Sequence, residues 1–340
     1  MKVATLQLNP TIRQVQANIA KADAILAASP SPADLDLLVL PELAFTGYNF
    51  PSAEAIKPYL EPTTAGPSTL WATATAKRLR CHVIVGYPEV ALEADNDRTR
   101  PGAEAQTNTA AQPTKEVSYN STVTISPTGE ILATYRKSFL YYTDESWAQE
   151  GKPGFYYGDL GGSLGKVAHG ICMDINPYQF TAPYSAFEFA SHAVSKGAKT
   201  IVLSMAWLTH VPLEEIMMQP EKPTLETVMY WVQRFVPLLE ASKTQGPITV
   251  VFSNRVGVEK NEVSEMTAKT GQVIPLGESA TYAGSSCVMM FEDGEVGIYE
   301  MLGAAQEGLL VVDTEEPVKY RLQSRGAESP DREEEEDDDA

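Results

Sequence analysis

A chain of 340 residues with 26 basic and 45 acidic side chains carries a formal net charge of −19, which excludes the lysine- and arginine-rich face that phosphate backbones require. Apolar residues make up 43%, as in ordinary globular proteins, yet no apolar run approaches the roughly 20 residues that span a bilayer. Neither a nucleic acid nor a membrane is therefore an expected partner. Three cysteines, Cys81, Cys172 and Cys287, lie far apart, which suits neither a disulfide framework nor a zinc site built from close ligand pairs.

From the amino terminus, MKVATLQLNP alternates apolar and polar residues after one lysine. It reads as a strand rather than a signal peptide, so a cytoplasmic or nuclear setting is expected. Apolar, β-rich runs follow at Val3–Leu8, Leu37–Leu40, His82–Tyr87, Ser121–Ile125, Gly165–Cys172, Thr200–Leu203, Ile248–Ser253, Ser286–Phe291 and Leu309–Val312. Helical periodicity falls at Val15–Ala28, Thr69–Leu79, Ala186–Ser195 and Thr224–Ala241, and strands separated by helices predict an α/β fold. Thr124–Ile131 and Met290–Val296 place Pro-Thr-Gly and Glu-Asp-Gly between apolar runs, the chemistry of hairpin turns.

Two stretches break the pattern. Residues 93–116 contain no apolar residue larger than alanine and read as a flexible surface insertion between strands. Glu333–Asp339 is seven consecutive acids, which repel one another and bury nothing. The expected organisation is one catalytic domain over 1–320 and an acidic tail over 321–340.

Three strand-end positions carry candidate chemistry. Cys172 closes the run Val167-Ala-His-Gly-Ile-Cys172 and is followed by Met-Asp-Ile-Asn-Pro. A thiol at a strand-to-helix turn can be presented beside the next backbone N–H, half of an oxyanion hole; a buried core cysteine is the competing reading. Glu42 follows Leu37-Leu-Val-Leu-Pro, where desolvation lifts a carboxylate towards neutrality and suits it as a general base; a salt-bridged or helix-capping glutamate is the competing reading. Lys137 ends Ala133-Thr-Tyr-Arg-Lys137; held in a dry pocket, its ammonium would stabilise an oxyanion, while a solvated lysine is the default. His169 lies in the strand leading to Cys172 and reads as a core packing residue, while His82, His192 and His210 have no partner acid in sequence; nothing specifies a Cys–His dyad, which stays open as an alternative. No phosphate loop, dinucleotide fingerprint or paired histidine ligands occur, so no metal and no cofactor is expected.

Taken together, Leu40-Pro-Glu42, Tyr135-Arg-Lys137 and Gly170-Ile-Cys172-Met-Asp174 resemble, in order, the Glu-Lys-Cys motifs of the nitrilase superfamily of carbon–nitrogen hydrolases. Tyr119-Asn-Ser121, Asn254-Arg-Val-Gly257 and Gly284-Ser-Ser286 extend the likeness, which runs to about residue 313. The resemblance implies a four-layer αββα sandwich with Glu42, Lys137 and Cys172 at the strand ends. It implies that Cys172 attacks an amide or nitrile carbon, Glu42 moves the proton, and Lys137 with the Met173 N–H holds the oxyanion. Glu145, eight residues after the lysine, corresponds to a second glutamate that orients the lysine in many members.

One branch is more similar than the rest. Tyr135–Trp147, Gly170–Phe180 and Leu203–Leu208 resemble fungal enzymes that deamidate an amino-terminal Asn or Gln of a polypeptide, feeding degradation that reads the terminal residue. Asn176 stands where many members carry an arginine for a substrate carboxylate. A site for a peptide end needs instead an acid for the α-ammonium, and Asp174 and Glu145 are the candidates. Tyr48, Phe50, Tyr141 and Trp207 are the expected pocket walls. Small-molecule amidases of the ω-amidase or carbamoylase type are the alternative within this chemistry. A binding protein that kept the fold alone is the other alternative, disfavoured because it would not require all three residues. Members often form homo-oligomers; the sequence does not decide it.

Overall fold

The computed structural model describes residues 1–29, 34–94 and 114–322. In chain order its strands are β1 Lys2–Gln7, β2 Leu37–Val39, β3 Glu61–Pro62, β4 His82–Ala94, β5 Thr114–Ile125, β6 Ile131–Arg136, β7 Tyr156–Asp159, β8 Lys166–Ile171, β9 Thr200–Ser204, β10 Ile248–Ser253, β11 Val258–Lys260, β12 Glu265–Thr267, β13 Val273–Pro275, β14 Ser279–Thr281, β15 Cys287–Glu292, β16 Glu295–Met301, β17 Gly308–Asp313 and β18 Tyr320–Leu322. Fourteen of them build two seven-stranded sheets, while β11 pairs with β14 and β12 with β13. One large sheet runs β17-β1-β2-β4-β5-β6, with β3 beside β4, and the other runs β18-β16-β15-β10-β9-β8-β7.

Strand alternation explains how the layers form, because successive side chains point to opposite faces. In β2, Leu37 and Val39 join Val3, Ile84, Val167, Val202, Val251 and Val288 in the apolar layer between the sheets. Leu38 and Leu40 point the other way, with Leu6, Val83 and Val85, onto the outer helices. Those helices are Val15–Ala28 and Pro67–Leu79, whose Ala22, Leu26, Trp71 and Ala72 complete that layer. On the second sheet, Ile201, Leu203, Val250 and Phe252 face helices Glu188–Ser195, Leu225–Arg234 and Val236–Gln245. The result is the α-β-β-α order expected from the sequence. Among the described residues no helix is long and apolar enough to cross a membrane.

Polar side chains also enter the inter-sheet region, and His169 finds partners there as burial demands. His169 lies between Thr122 Oγ1 (3.3 Å) and Ser204 Oγ (3.4 Å). Ser204 gives its hydroxyl proton to the Leu40 carbonyl, so its oxygen is left to accept from the imidazole. Burial drives the His169 pKa down to about 3, and this histidine is a packing residue.

Several boundaries differ from the sequence reading. The helix expected over Thr224–Ala241 is two, Leu225–Arg234 and Val236–Gln245. Pro237, with no N–H and a ring that crowds the preceding turn, starts the second helix rather than continuing the first. Strands β4 and β5 run on to Ala94 and back from Thr114, so both ends of the expected 93–116 insertion are paired backbone; residues 95–113 lie outside the described residues. Strand β18 pairs with β16 through Leu322, which carries the folded unit past the expected boundary at 320. The acidic tail after it lies outside the described residues. The short strands β7 and β11 to β14 were not expected.

Gly86 on β4 shows how the sheet sets the position of Glu42. A Cβ there would fall 2.6 Å from the Pro41 carbonyl oxygen, 2.7 Å from the Leu43 nitrogen and 2.8 Å from the Glu42 Cα, while the Gly86 carbonyl accepts the Ala44 N–H at 3.0 Å. Gly86→Ala is expected to displace the Glu42 segment. It should cost about 1–3 kcal/mol in urea unfolding, as overpacking does, and lower kcat in the folded fraction; an unchanged midpoint and kcat would contradict this account of the close approach.

Candidate active site

Glu42 lies just beyond β2 and is fully buried. One carboxylate oxygen accepts from the Asn120 amide at 2.6 Å and from Lys137 Nζ at 2.5 Å. The other, Oε2, has no partner although it is buried. Such an orphan acceptor is costly unless it has chemistry to do. Burial lifts the Glu42 pKa; Lys137 pulls it down and Asp144 pushes it up, and it settles at about 6.

Lys137 follows the last residue of β6. Its N–H remains tied to the Asn120 carbonyl of β5 at 2.8 Å. Its ammonium is fully buried and reaches both Glu42 and Asp144 at 2.5 Å. Burial disfavours the charge, but the two carboxylates outweigh it and hold Lys137 above the ordinary lysine range. Asn120 bridges the same carboxylates, donating to Asp144 at 2.9 Å as well as to Glu42. Asp144 also accepts the Tyr141 N–H at 3.0 Å.

Cys172 leaves β8 with φ +41°, a left-handed backbone that non-glycine residues take only when the surroundings impose it. It opens the 3₁₀ turn Cys172–Ile175, where the first N–H groups lack intrahelical partners, and the Met173 N–H is among them. Asp174 imposes the turn. Its carboxylate accepts from the Ile171 N–H (2.7 Å), the Ser138 N–H (3.1 Å), the Phe139 N–H (2.8 Å) and the Tyr135 hydroxyl (2.7 Å). The nucleophile turn and the segment after Lys137 thus hang from one carboxylate. Burial, reinforced by the Glu42 charge and opposed by Lys137, pushes the Cys172 thiol well above its usual range, so a base must remove its proton as it attacks.

Cys172 and Met173 line a cavity of about 220 Å³ with Tyr48, Tyr141, Asn176, Phe180, Ala206, Trp207, Leu208, His210 and Tyr230. Of the residues expected from sequence, Tyr48, Tyr141 and Trp207 stand in its wall. Tyr48 also sets its ring 5.8 Å from Lys137 Nζ. Three expectations are corrected. Glu145 does not orient Lys137; its carboxylate accepts the Lys269 N–H at 2.6 Å, and its neighbour Asp144 takes the position on the lysine. Asp174 cannot pair with an α-ammonium, because its oxygens are saturated by internal donors. Phe50 packs on Tyr59, with Arg13 over its ring, outside the cavity wall.

The sequence reading overlooked Asn120, Asp144, Asn176, Phe180 and Tyr230 as site residues. Asn120 lay within a noted motif, and Asp144 beside the chosen acid; no sequence signal marked Tyr230, whose hydroxyl donates to Asn176 Oδ1 at 2.7 Å. Among the described residues no cluster of three or more His, Cys, Asp or Glu is placed to hold a metal ion.

Two stacked sheets flanked by helices, with a thiol in the wall of a cavity and a buried carboxylate–ammonium pair whose charges act on that thiol, define a hydrolase of carbon–nitrogen bonds. Residues 2–186 match the carbon–nitrogen hydrolase family, and the chain belongs to that family. A protein N-terminal amidase of Schizosaccharomyces pombe is 31% identical over 331 residues, covering 93% of this chain and all of the relative. Another protein N-terminal amidase, from Saccharomyces cerevisiae, is 33% identical over 237 residues, 63% of this chain and 46% of its own length. In fold, a crystal structure of N-terminal amidase with a Gln-Val peptide superposes with a TM-score of 0.71 at 21% identity, covering 92% of this chain and 96% of that one. A Saccharomyces cerevisiae member of branch 10 of the nitrilase superfamily superposes at 0.58, with 17% identity over 93% of this chain and 90% of its own.

The Asp144 charge raises the Glu42 pKa, and a base acts only when deprotonated. The acid limb of kcat/KM is therefore expected near pH 6. Asp144→Asn should move that limb to lower pH and, by weakening the base, lower the plateau roughly tenfold or more. A limb that stays near pH 6 in this variant would show that the two carboxylates are not coupled.

Proposed function

We propose that this protein hydrolyses the side-chain amide of an amino-terminal Asn or Gln of a polypeptide, giving Asp or Glu and ammonia. The observation that carries the substrate assignment is the 31% identity to the Schizosaccharomyces pombe protein N-terminal amidase over that relative's whole length. The pocket supports it by size and lining. About 220 Å³ accepts one residue rather than a drug-sized ligand, and no guanidinium lines it, so a free α-carboxylate finds no bidentate arginine there.

In this reading Glu42 Oε2, left without a partner, accepts the Cys172 proton while the sulfur attacks the side-chain amide carbon. Lys137 Nζ and the Met173 N–H hold the resulting oxyanion. As the tetrahedral species collapses, Glu42 returns its proton to the leaving nitrogen, the C–N bond breaks and ammonia departs, leaving a thioester on Cys172. Glu42 then takes a proton from water, whose oxygen attacks the thioester carbon. Collapse releases the carboxylic acid and restores the thiol. Asn120 and Asp144 are positioning residues that keep Lys137 against Glu42. With Asp174 and Glu145 committed elsewhere, the substrate α-ammonium falls to Asn176 Oδ1 and to the ring faces of Trp207 and Tyr230, which attract a cation in a dry site. The three free cysteines suit a reducing compartment, the cytoplasm or nucleus.

Ammonia release from short peptides tests the reading. Peptides beginning with free Asn or Gln should turn over, and their N-acetylated forms should not. Free glutamine or a carbamoyl amino acid consumed as fast as the peptides would replace it with the small-molecule alternative. Cys172→Ala should cost at least about a thousandfold in kcat, since loss of a nucleophile collapses the whole assembly; residual activity near wild type would overturn the thioester mechanism.

A further inference from the structure

Beyond the nucleophile turn, the chain makes an excursion from Asn176 to Phe187 before helix Glu188–Ser195 begins. It is held at both ends by one buried residue, Arg234. The Arg234 guanidinium donates to the Ile175 carbonyl at 2.7 Å and to the Tyr184 carbonyl at 2.5 Å, and lies over the rings of Tyr184 (4.6 Å) and Phe187 (4.9 Å). Between these anchors the Tyr178 N–H donates to Glu188 at 3.1 Å and its hydroxyl to Glu150 at 2.9 Å. The frame so anchored holds Gln179 (φ +52°) and Phe180 (φ +55°) in the left-handed region, which side chains of this size rarely adopt.

That backbone puts a large apolar ring at the rim of the cavity. Phe180 lines the same cavity as Cys172 but is 45% exposed, against 8% for Cys172 and 3% for Tyr48. Its ring rests on Tyr142 (5.6 Å) and edge-on against Tyr141 (6.3 Å), and Tyr141 itself is in the cavity wall. The three rings form an aromatic ledge running outward from the reaction chamber. Strained backbone that holds an apolar side chain in solvent points to a use for that side chain.

We infer that the Phe180 ledge is the subsite for the second residue of the peptide and favours an apolar or aromatic side chain there. The inference rests on the proposed peptide substrate. With the first residue's amide at Cys172, its backbone must leave through the rim, and the next Cα lies only 3.8 Å further on. The second side chain then meets Phe180, which offers apolar area and no hydrogen bond.

The test is kcat/KM for Asn-Gly, Asn-Ala, Asn-Leu, Asn-Phe and Asn-Asp peptides, with wild type, Phe180→Ala and Phe180→Leu. Wild type should prefer Leu or Phe over Gly by roughly three- to tenfold, the gain expected from covering one apolar side chain on a ring. The ratio should fall towards one in Phe180→Ala and be partly kept in Phe180→Leu. A flat wild-type series, or a preference that survives Phe180→Ala, would overturn the subsite while leaving the amidase reading intact. No turnover of any free-amine peptide by wild type would instead remove the reading beneath it. Sedimentation velocity of the same variants covers the other occupant: a flat series with an oligomer lost in Phe180→Ala would assign the ledge to a second copy of the chain.

Discussion

A lysine ammonium without solvent, clasped between two carboxylates, is the interaction on which the rest of this protein depends. Moving Lys137, Glu42 and Asp144 out of water costs several kcal/mol per ion, and the cluster is tolerable because each charge has an opposite neighbour and Asn120 ties the two acids together. The cluster still carries one more negative than positive charge, and that excess, together with burial, keeps Glu42 near neutrality in pKa. Were one partner absent, the remainder would be buried and uncompensated, a loss of roughly 3–5 kcal/mol in comparable sites. The sheets are arranged to make the cluster affordable: Glu42 leaves β2, Asn120 sits within β5, and Lys137 leaves β6, all in one sheet, with Gly86 clearing the way for the Glu42 backbone.

The thiol comes from the other sheet. Cys172 follows β8, and Asp174 bridges the two halves by accepting backbone N–H groups from the turn behind the nucleophile and from the segment after Lys137. Reactive geometry here is therefore a property of sheet-to-sheet packing. A shift of one sheet on the other would move sulfur relative to base and ammonium together, and small misplacements of this kind are expensive in rate. Asp174 looks like an active-site acid in sequence, yet its work is to hold both sheets in register at the point where the reaction occurs.

Much of this is legible in the amino-acid sequence. Strand alternation in Leu37-Leu-Val-Leu and in Thr200-Ile-Val-Leu separates an inter-sheet face from a helix-covered face, so the layered fold follows from local patterning. Glu42 and Cys172 each follow an apolar strand, and Lys137 joins them through the ordered motifs that resemble those of the family. The break between helices Leu225–Arg234 and Val236–Gln245 was also written in Pro237, but the apolar periodicity on both sides outvoted it. Asp144 could not be separated from Glu145 by spacing, since which of two adjacent acids turns inward depends on the direction of the short turn Tyr142–Glu145.

By itself, then, the sequence determined the fold class, the three chemical groups and the family, because the first rests on periodicity and the other two on short motifs that resemble the family's in a fixed order. Tertiary structure alone decided which acid holds Lys137, that Asp174 is structural, that Phe50 stays out of the pocket, and that Asn176, Tyr230 and Phe180 enter it. Those choices depend on where separate elements meet in space: on helix Leu225–Arg234 reaching across to the nucleophile turn, and on Arg234 fixing an excursion that begins some sixty residues earlier. No local pattern encodes such a meeting, because its energy belongs to contacts between segments that only folding brings together.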